Sequence, residues 1–234
     1  MGCPFREDFR IAEDESCACN DFAHEAGVPR EEITRRYALW AENAKYERDL
    51  CEKVYKGPSI AADTVARYFP GDDLRRAAKI LDVAAGSGFV GQKLKEKGFY
   101  MIDALEPCGK MLQLAQEKGI YRQTFQNYLN GHILEIKADY YDVAVISGGM
   151  GEGHIPCKGL NELIRIVRPG GLIVIVMREE YLQTVAEYRD QLEPRMSELE
   201  VQGRWKRLAR NLHPCYSFHN TGVVFVYRVL EPEL

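Results

Sequence analysis

Ile80-Leu81-Asp82-Val83-Ala84-Ala85-Gly86-Ser87-Gly88-Phe89-Val90-Gly91 is the stretch whose reading decides the fold. Apolar residues bracket one acid, and glycines follow. Lys79–Ala84 reads as a short buried strand, Gly86–Gly88 as a tight turn, and Phe89 as the first residues of a helix. Glycine lets such a turn enter positive φ and lets a ligand lie against bare backbone. The helix N-terminus adds unpaired N–H groups and a partial positive charge, so the turn suits a nucleotide-like or carboxylate-bearing ligand.

Working outward, Gly86-Ser87-Gly88-Phe89-Val90-Gly91 also matches the dinucleotide fingerprint G-x-G-x-x-G. Two acids qualify that match. Asp82 stands inside the strand end, where a dehydrogenase usually keeps an apolar residue. Glu106 follows the next apolar run, Tyr100–Leu105. Further on, apolar runs alternate with helical patterns. Phe89–Lys97 is a helix closed by Gly98, and Lys110–Lys118 a helix with Met111, Leu112 and Leu114 inward. A third strand falls within Tyr121–Leu129, and a fourth is Tyr141–Ile146. Leu160–Val167 is a helix, Pro169-Gly170-Gly171 a turn, and Leu172–Met177 a buried central strand. This alternation predicts an α/β fold with a parallel sheet covered on both faces. Glu180–Leu192 reads as a further helix that Pro194 breaks or restarts. Trp205–Ala209 and Gly222–Leu230 read as two strands joined by a loop over Arg210–Thr221. They predict an antiparallel hairpin that closes the sheet.

On the N-terminal side, residues 1–26 are acidic, cysteine-bearing and without period, and read as a loose arm, partly disordered. Residues 27–70 read as a helical lid. Ile33, Tyr37, Trp40 and Ala44 share one helical stripe, and Tyr46, Leu50 and Val54 make a second. Tyr46 is half a turn out from Tyr37 on a continuous helix, so either the helix ends near Asn43 or Tyr46 faces something else. Gly57-Pro58 punctuates, and Ser59 is placed to cap a helix running to Tyr68. Residues 71–234 form the remaining domain.

The chain has 234 residues, 46% hydrophobic and 28% charged, which suits one α/β domain with an added segment. The net charge of −4 is a poor footprint for nucleic acid or an anionic membrane. No apolar run approaches the ~20 residues of a membrane span, and the first residues show no secretory apolar region. The seven cysteines are odd in number and irregular in spacing, which reads as free thiols in the cytoplasm. Cys3, Cys17, Cys19 and His24 fit no zinc spacing, and no metal is expected.

In combination, Asp82…Gly86-Ser87-Gly88, Glu106, Tyr141-Asp142-Val143-Ala144-Val145-Ile146 and Arg168-Pro169-Gly170-Gly171 resemble the motifs of class I S-adenosylmethionine-dependent methyltransferases, in the same order. The likeness covers residues 33–234. It implies a Rossmann-like fold with a seven-stranded, mostly parallel sheet and an antiparallel last strand. More narrowly, Tyr37-x-x-Trp40-Ala41-x-x-x-x-Tyr46, the Met111-Leu112 helix and Asp142 through Pro156-Cys157 resemble the Williams–Beuren syndrome region methyltransferase-like family. The resemblance implies S-adenosylmethionine as cofactor and S-adenosylhomocysteine as product. Ala84, Gly86 and Gly88 would pass under the cofactor, and Asp82 would hold the turn or reach the methionine amino group through water. Glu106 would accept the ribose hydroxyls, since a carboxylate is a bidentate acceptor. Pro107 and Met111 would flank adenine. The acid usual after strand three is replaced here by Asn127-Tyr128-Leu129, so Tyr128 and Leu129 would supply stacking or backbone contacts. Ser147 and Gly148 would border the reactive methyl, with Tyr37, Trp40 and Tyr46 as an aromatic lid.

Methyl transfer needs alignment first, and a base only if the acceptor must lose a proton. His154 and Glu152, in the loop after strand four, are the acid–base candidates. Cys157 reads as a small buried thiol at a helix start. The expected acceptor is a small molecule, with a protein the alternative. An NAD(P)-binding oxidoreductase and a cofactor-binding module without turnover are the competing readings.

Overall fold

The computed structural model describes residues 18–231. Its seven strands are β1 (Lys79–Val83), β2 (Met101–Leu105), β3 (Thr124–Phe125), β4 (Tyr141–Ser147), β5 (Val167–Arg178), β6 (Trp205–Ser217) and β7 (Asn220–Val229). They form one sheet in the order β3-β2-β1-β4-β5-β7-β6. β1 pairs in parallel with β2 and β4, and β5 in parallel with β4. β7 enters antiparallel beside β5 and carries β6 on the outer edge. The α/β class, the seven strands and the antiparallel closing hairpin agree with the sequence reading.

α1 (Arg30–Trp40), α2 (Lys45–Asp49), α3 (Gly57–Tyr68) and α4 (Asp72–Ala77) precede β1. α5 (Phe89–Glu96), α6 (Gly109–Glu117) and α7 (Gly159–Ile166) cross between strands, and α8 (Tyr181–Thr184) and α9 (Leu192–Val201) lie between β5 and β6. β4 and β5 are apolar on both faces because both are covered. Val143, Val145 and Val174 pack with Ala61 and Val65 of α3, while Ala144, Ile173 and Ile175 pack with Leu160 of α7 and Leu199 of α9. Strand order reverses between β1 and β4, and in open α/β sheets the crevice at that switch point takes the ligand.

Several expectations are corrected. The lid segment expected to reach residue 70 includes α3, yet α3 lies in the core layer on the sheet. Ser59 does not cap it: α3 starts at Gly57 with Pro58 in its first turn, and the Ser59 hydroxyl donates to Glu52 Oε1 at 2.7 Å. The single helix expected over Glu180–Leu192 is interrupted. α8 ends at Thr184, Asp190 takes a φ of 57°, and Pro194 sits in the first turn of α9, where its missing N–H has no intrahelical role. Arg168 through Gly171 opens β5 rather than standing as a separate turn, next to a register shift between Tyr141 and Val143.

Arg210–Thr221, expected as a loop, is mostly strand. β6 runs to Ser217 on the sheet edge, so its side chains are largely exposed and leave no alternating apolar signal. Pro214 and Cys215 (φ 57°) fall in a register break between His213 and Ser217, which is where an edge strand tolerates proline. Of the expected loose arm, residues 1–17, with Cys3 and Cys17, lie outside the described residues. Residues 18–23 are helical, and Ala23 is buried against Trp40 and Leu50. Cys157 is only half buried, and its thiol donates to the Glu187 carbonyl at 3.1 Å.

Candidate functional site

The C-terminal ends of β1, β2, β4 and β5 open into a cleft roofed by α1, the segment after it and residues 18–24. Its floor is the glycine turn. Gly86 and Gly88 hold φ values of 56° and 95°, which L side chains rarely adopt. Only Gly86 faces the cleft, where an added Cβ would meet the Tyr46 hydroxyl at 3.4 Å. Gly88 and Gly91 face the other way, toward Tyr121. A Cβ on Gly91 would come within 2.4 Å of the Tyr121 hydroxyl. The third glycine of the apparent dinucleotide fingerprint therefore makes room for a tyrosine of this fold.

Asp82 does not line the cleft. It is fully buried behind the turn, and its Oδ2 accepts from the Gly91 amide at 3.0 Å and from the Tyr121 hydroxyl at 2.6 Å. Gly91 is in the first turn of α5, so Asp82 caps that helix from the neighbouring strand. Its Oδ1 is buried without a partner among the described residues. Glu106 does reach the cleft. Its two oxygens accept from the Gly86 and Cys108 amides, each at 2.8 Å, so this one carboxylate ties the loop after β1 to the loop after β2. Two further lone-pair sites remain on it.

Burial pushes both acids up to about 7, against the amide and hydroxyl donors that favour the charged form; Glu106 also raises Asp82. The folded chain thus holds the Asp82 proton up to about pH 7, while the unfolded chain releases it near 3.8. The stability so contributed is full below that lower value and is lost as pH rises through 7. Buried His24 and His154 have lowered values and act in the opposite direction. The comparison that isolates the acid is with Asp82→Asn. The stability of wild type relative to this variant is expected to fall by about 2 kcal/mol from pH 5 to pH 8. Calorimetry across that range checks it, and a constant difference contradicts it.

The aromatic roof comes from a break in the chain. α1 ends at Trp40, and Asn43 and Ala44 take left-handed φ values of 53° and 55° before α2 begins. The break rotates Tyr46 back toward the face that carries Tyr37 and Trp40. Ring centres lie 6.3 Å apart for Tyr37–Tyr46 and 4.9 Å for Trp40–Tyr46, and Tyr46 stacks on Phe89 at 5.8 Å. Trp40 Nε1 donates to Asp49 Oδ2 at 2.7 Å, which fixes the indole. Burial holds the Tyr37 and Tyr46 phenols well above their ordinary range, so both stay neutral.

His154 lines the cleft and meets Tyr37: its Nε2 is 2.9 Å from the phenol oxygen. Its Nδ1 is 2.6 Å from the Glu152 carbonyl, which can only accept, so Nδ1 carries the proton. Burial lowers the ring's pKa and keeps it neutral, so Nε2 is the acceptor of the Tyr37 hydroxyl. Glu152 enters through this carbonyl; its carboxylate does not line the cleft. The structure therefore separates the pair grouped as acid–base candidates.

Pro107, Met111, Leu129, Tyr128 and Ala84 all line the cleft, and the Tyr128 hydroxyl lies 2.7 Å from Thr34 Oγ1, linking the loop after β3 to the roof. At the end of β4, Ser147 Oγ is 3.0 Å from the Tyr55 hydroxyl, which is 3.4 Å from that of Tyr216. Gly148 (φ 72°) leaves this space open; a Cβ there would stand 2.6 Å from the Tyr55 hydroxyl. Tyr55, Tyr216, Tyr181 and Arg178 also line the cleft and were not singled out in the sequence, and His24, weighed there only beside the cysteines, lines it too. One signal was available: Arg178 is a charge that ends a buried apolar strand at the edge where ligands bind.

The glycine turn, the acid beyond β2 and the antiparallel β7 together define a class, and comparison with known proteins agrees. A family model described as a methyltransferase domain matches residues 81–175. The chain is 30% identical to human methyltransferase-like protein 27 over 172 residues, 74% of this chain and 67% of that protein. The chain belongs to the class I S-adenosylmethionine-dependent methyltransferases and is an enzyme of that kind. It is also 35% identical to the demethylmenaquinone methyltransferase of Clavibacter sepedonicus, but over 42% of this chain and 40% of that one. Among solved structures, the Burkholderia thailandensis 1,6-didemethyltoxoflavin-N1-methyltransferase, with bound 1,6-didemethyltoxoflavin and S-adenosylhomocysteine, shares the fold. Its TM-score is 0.59 at 16% identity, covering 88% of this chain and 92% of that one.

Proposed function

We propose that the cleft binds S-adenosylmethionine and that the chain transfers its methyl group to a small-molecule acceptor, releasing S-adenosylhomocysteine. The observation that carries this is the buried Glu106 carboxylate on the cleft floor, bonded to the Gly86 amide with lone pairs to spare. A carboxylate so placed suits a ribose diol, and bare Gly86 lets a ligand pass close to backbone. Bound there, the cofactor supplies an electrophilic methyl on a sulfonium. The chain's own residues hold and align. Tyr37, Trp40 and Tyr46 offer aromatic faces, and the two tyrosines neutral hydroxyls, which favour a cation. Met111, Pro107 and Leu129 form the apolar wall for a purine, and Ser147 and Gly148 border the acceptor side. Asp82 and Gly88 shape the turn from behind. His154, neutral and bonded to Tyr37, positions the roof in the ligand-free chain and gains a free Nε2 if Tyr37 turns to a ligand. The roof over the cleft supports a small acceptor over a protein, and the acidic charge supports neither nucleic acid nor membrane.

Calorimetric titration tests this. S-adenosylhomocysteine is expected to bind with low-micromolar Kd and NAD(H) not at all. Hydrogen exchange should show added protection in residues 31–54 and 82–91 with the ligand. Binding of NAD(H) without S-adenosylhomocysteine overturns the reading, and equal protection in both states makes residues 31–54 ordinary scaffold.

A further inference from the structure

The acceptor half of the cleft contains two buried donor nitrogens, beside the Tyr181 phenol, that make no hydrogen bond of normal geometry among the described residues. Arg178, at the end of β5, is 7% exposed, and Asn20, in the helical residues 18–23, is 8% exposed. Both line the cleft. The two nitrogens are Arg178 Nη2 and Asn20 Nδ2. The rest of the guanidinium is engaged. Nε donates to Ser217 Oγ at 3.2 Å, and Nη1 faces Glu180 Oε1 at 3.2 Å and Asp21 Oδ1 at 3.9 Å. Those two acids are half exposed, with side-chain exposures of 46% and 63%. They hold the outer edge of the guanidinium.

A buried donor without a partner costs free energy that a bound acceptor recovers, and a guanidinium edge matches a planar two-oxygen anion. We propose that the methyl acceptor is a carboxylate-bearing small molecule, its carboxylate held by Arg178 Nη2 and Asn20 Nδ2; this rests on the methyltransferase reading of the cleft above. Two spare donors match two carboxylate oxygens. A phosphate dianion has three oxygens and twice the charge, and here it would stand near Glu180 and Asp21 with too few donors. The neighbouring walls are flat. The rings of His24 and His154 stack at 4.5 Å, and the Tyr181 ring lies under the guanidinium at 5.6 Å. They suit an unsaturated ring attached to the carboxylate. Ser217 and Tyr216 connect this corner to the Tyr55–Ser147 contact beside the methyl-transfer position, so an anchored acceptor reaches the reacting end of the cleft.

The test is calorimetry of the full chain, with and without S-adenosylhomocysteine, using benzoate, phenylacetate and salicylate as probes, their carboxamides, and phenyl phosphate. At least one carboxylate is expected to bind at least tenfold more tightly than its amide and more tightly than phenyl phosphate. Asn20→Asp, which replaces the donor by a repelling oxygen at constant size, and Arg178→Gln should each weaken that binding at least tenfold, with S-adenosylhomocysteine affinity within twofold of wild type. Equal binding of amide and carboxylate, tighter phenyl phosphate, no carboxylate binding, or unchanged carboxylate affinity in Asn20→Asp each overturns the proposal. Arg178→Gln probes folding as well, and Asn20→Asp decides if that variant is unstable. If S-adenosylhomocysteine fails to bind wild type, the cofactor reading falls, and the probe titrations without it still decide the anion site.

Discussion

Glu106→Ala is expected to weaken S-adenosylhomocysteine binding by about 3 kcal/mol, roughly a hundredfold. At pH 8, where the Glu106 carboxyl is mostly ionised, hydrogen bonds to a charged acceptor fall near the top of the usual range, and the substitution acts twice. It removes the carboxylate proposed for the ribose hydroxyls, and it releases the Gly86 and Cys108 amides that the same carboxylate positions at 2.8 Å. The stability loss should be smaller, about 1 kcal/mol, because the freed amides border a cleft that water can enter. Glu106→Gln separates the two effects. It keeps the size but replaces an accepting oxygen by an N–H opposite a backbone N–H, so its affinity should also fall strongly. Titration calorimetry on both variants reads this directly. Unchanged affinity in Glu106→Ala would leave Glu106 as a loop tie with no part in ligand binding.

Asp82→Ala should act mainly on the fold. It strands the Gly91 amide and the Tyr121 hydroxyl in a fully buried site and removes the side chain that caps the start of α5 from β1. Two stranded donors cost about 3 kcal/mol together, which for a domain of this size lowers Tm by about 6–12 °C. Asp82→Asn retains an accepting oxygen for both donors, and its amide nitrogen takes the place of the unpartnered Oδ1, so its loss should be a small fraction of that. Thermal unfolding at pH 7 distinguishes them. Equal Tm values for the two variants would mean that the Gly91 and Tyr121 bonds contribute little.

The parts legible in the sequence were those whose cause is local. Strand β1, the turn at Gly86 and Gly88, and the buried strands β4 and β5 follow from apolar runs and from glycine's access to positive φ, both properties of neighbouring residues. Glu106 was legible for the same reason, as an acid directly after a strand. The outer part of edge strand β6, from Arg210 to Ser217, was not, because exposed side chains carry no pattern of burial and Pro214 sits in a register break. Gly91 was misleading by its literal spacing: its lack of a side chain answers to Tyr121, thirty residues away in the chain. The break at Asn43 and Ala44 decides where Tyr46 points, and helical spacing alone left that open. The half of the cleft proposed for the acceptor is wholly tertiary. Tyr55 meets Tyr216 because the tip of the β6–β7 hairpin folds back onto the chain after α2, with Phe218 N donating to Val54 O at 2.6 Å and Lys56 N to Tyr216 O at 2.8 Å. Arg178 and Asn20 reach the same cleft from segments far apart in the chain. The chain itself determined the sheet and the cofactor edge, since both are written in short-range periodicity. Which donors remain unsatisfied beside that edge depends on burial by distant segments, and only the folded structure decided it.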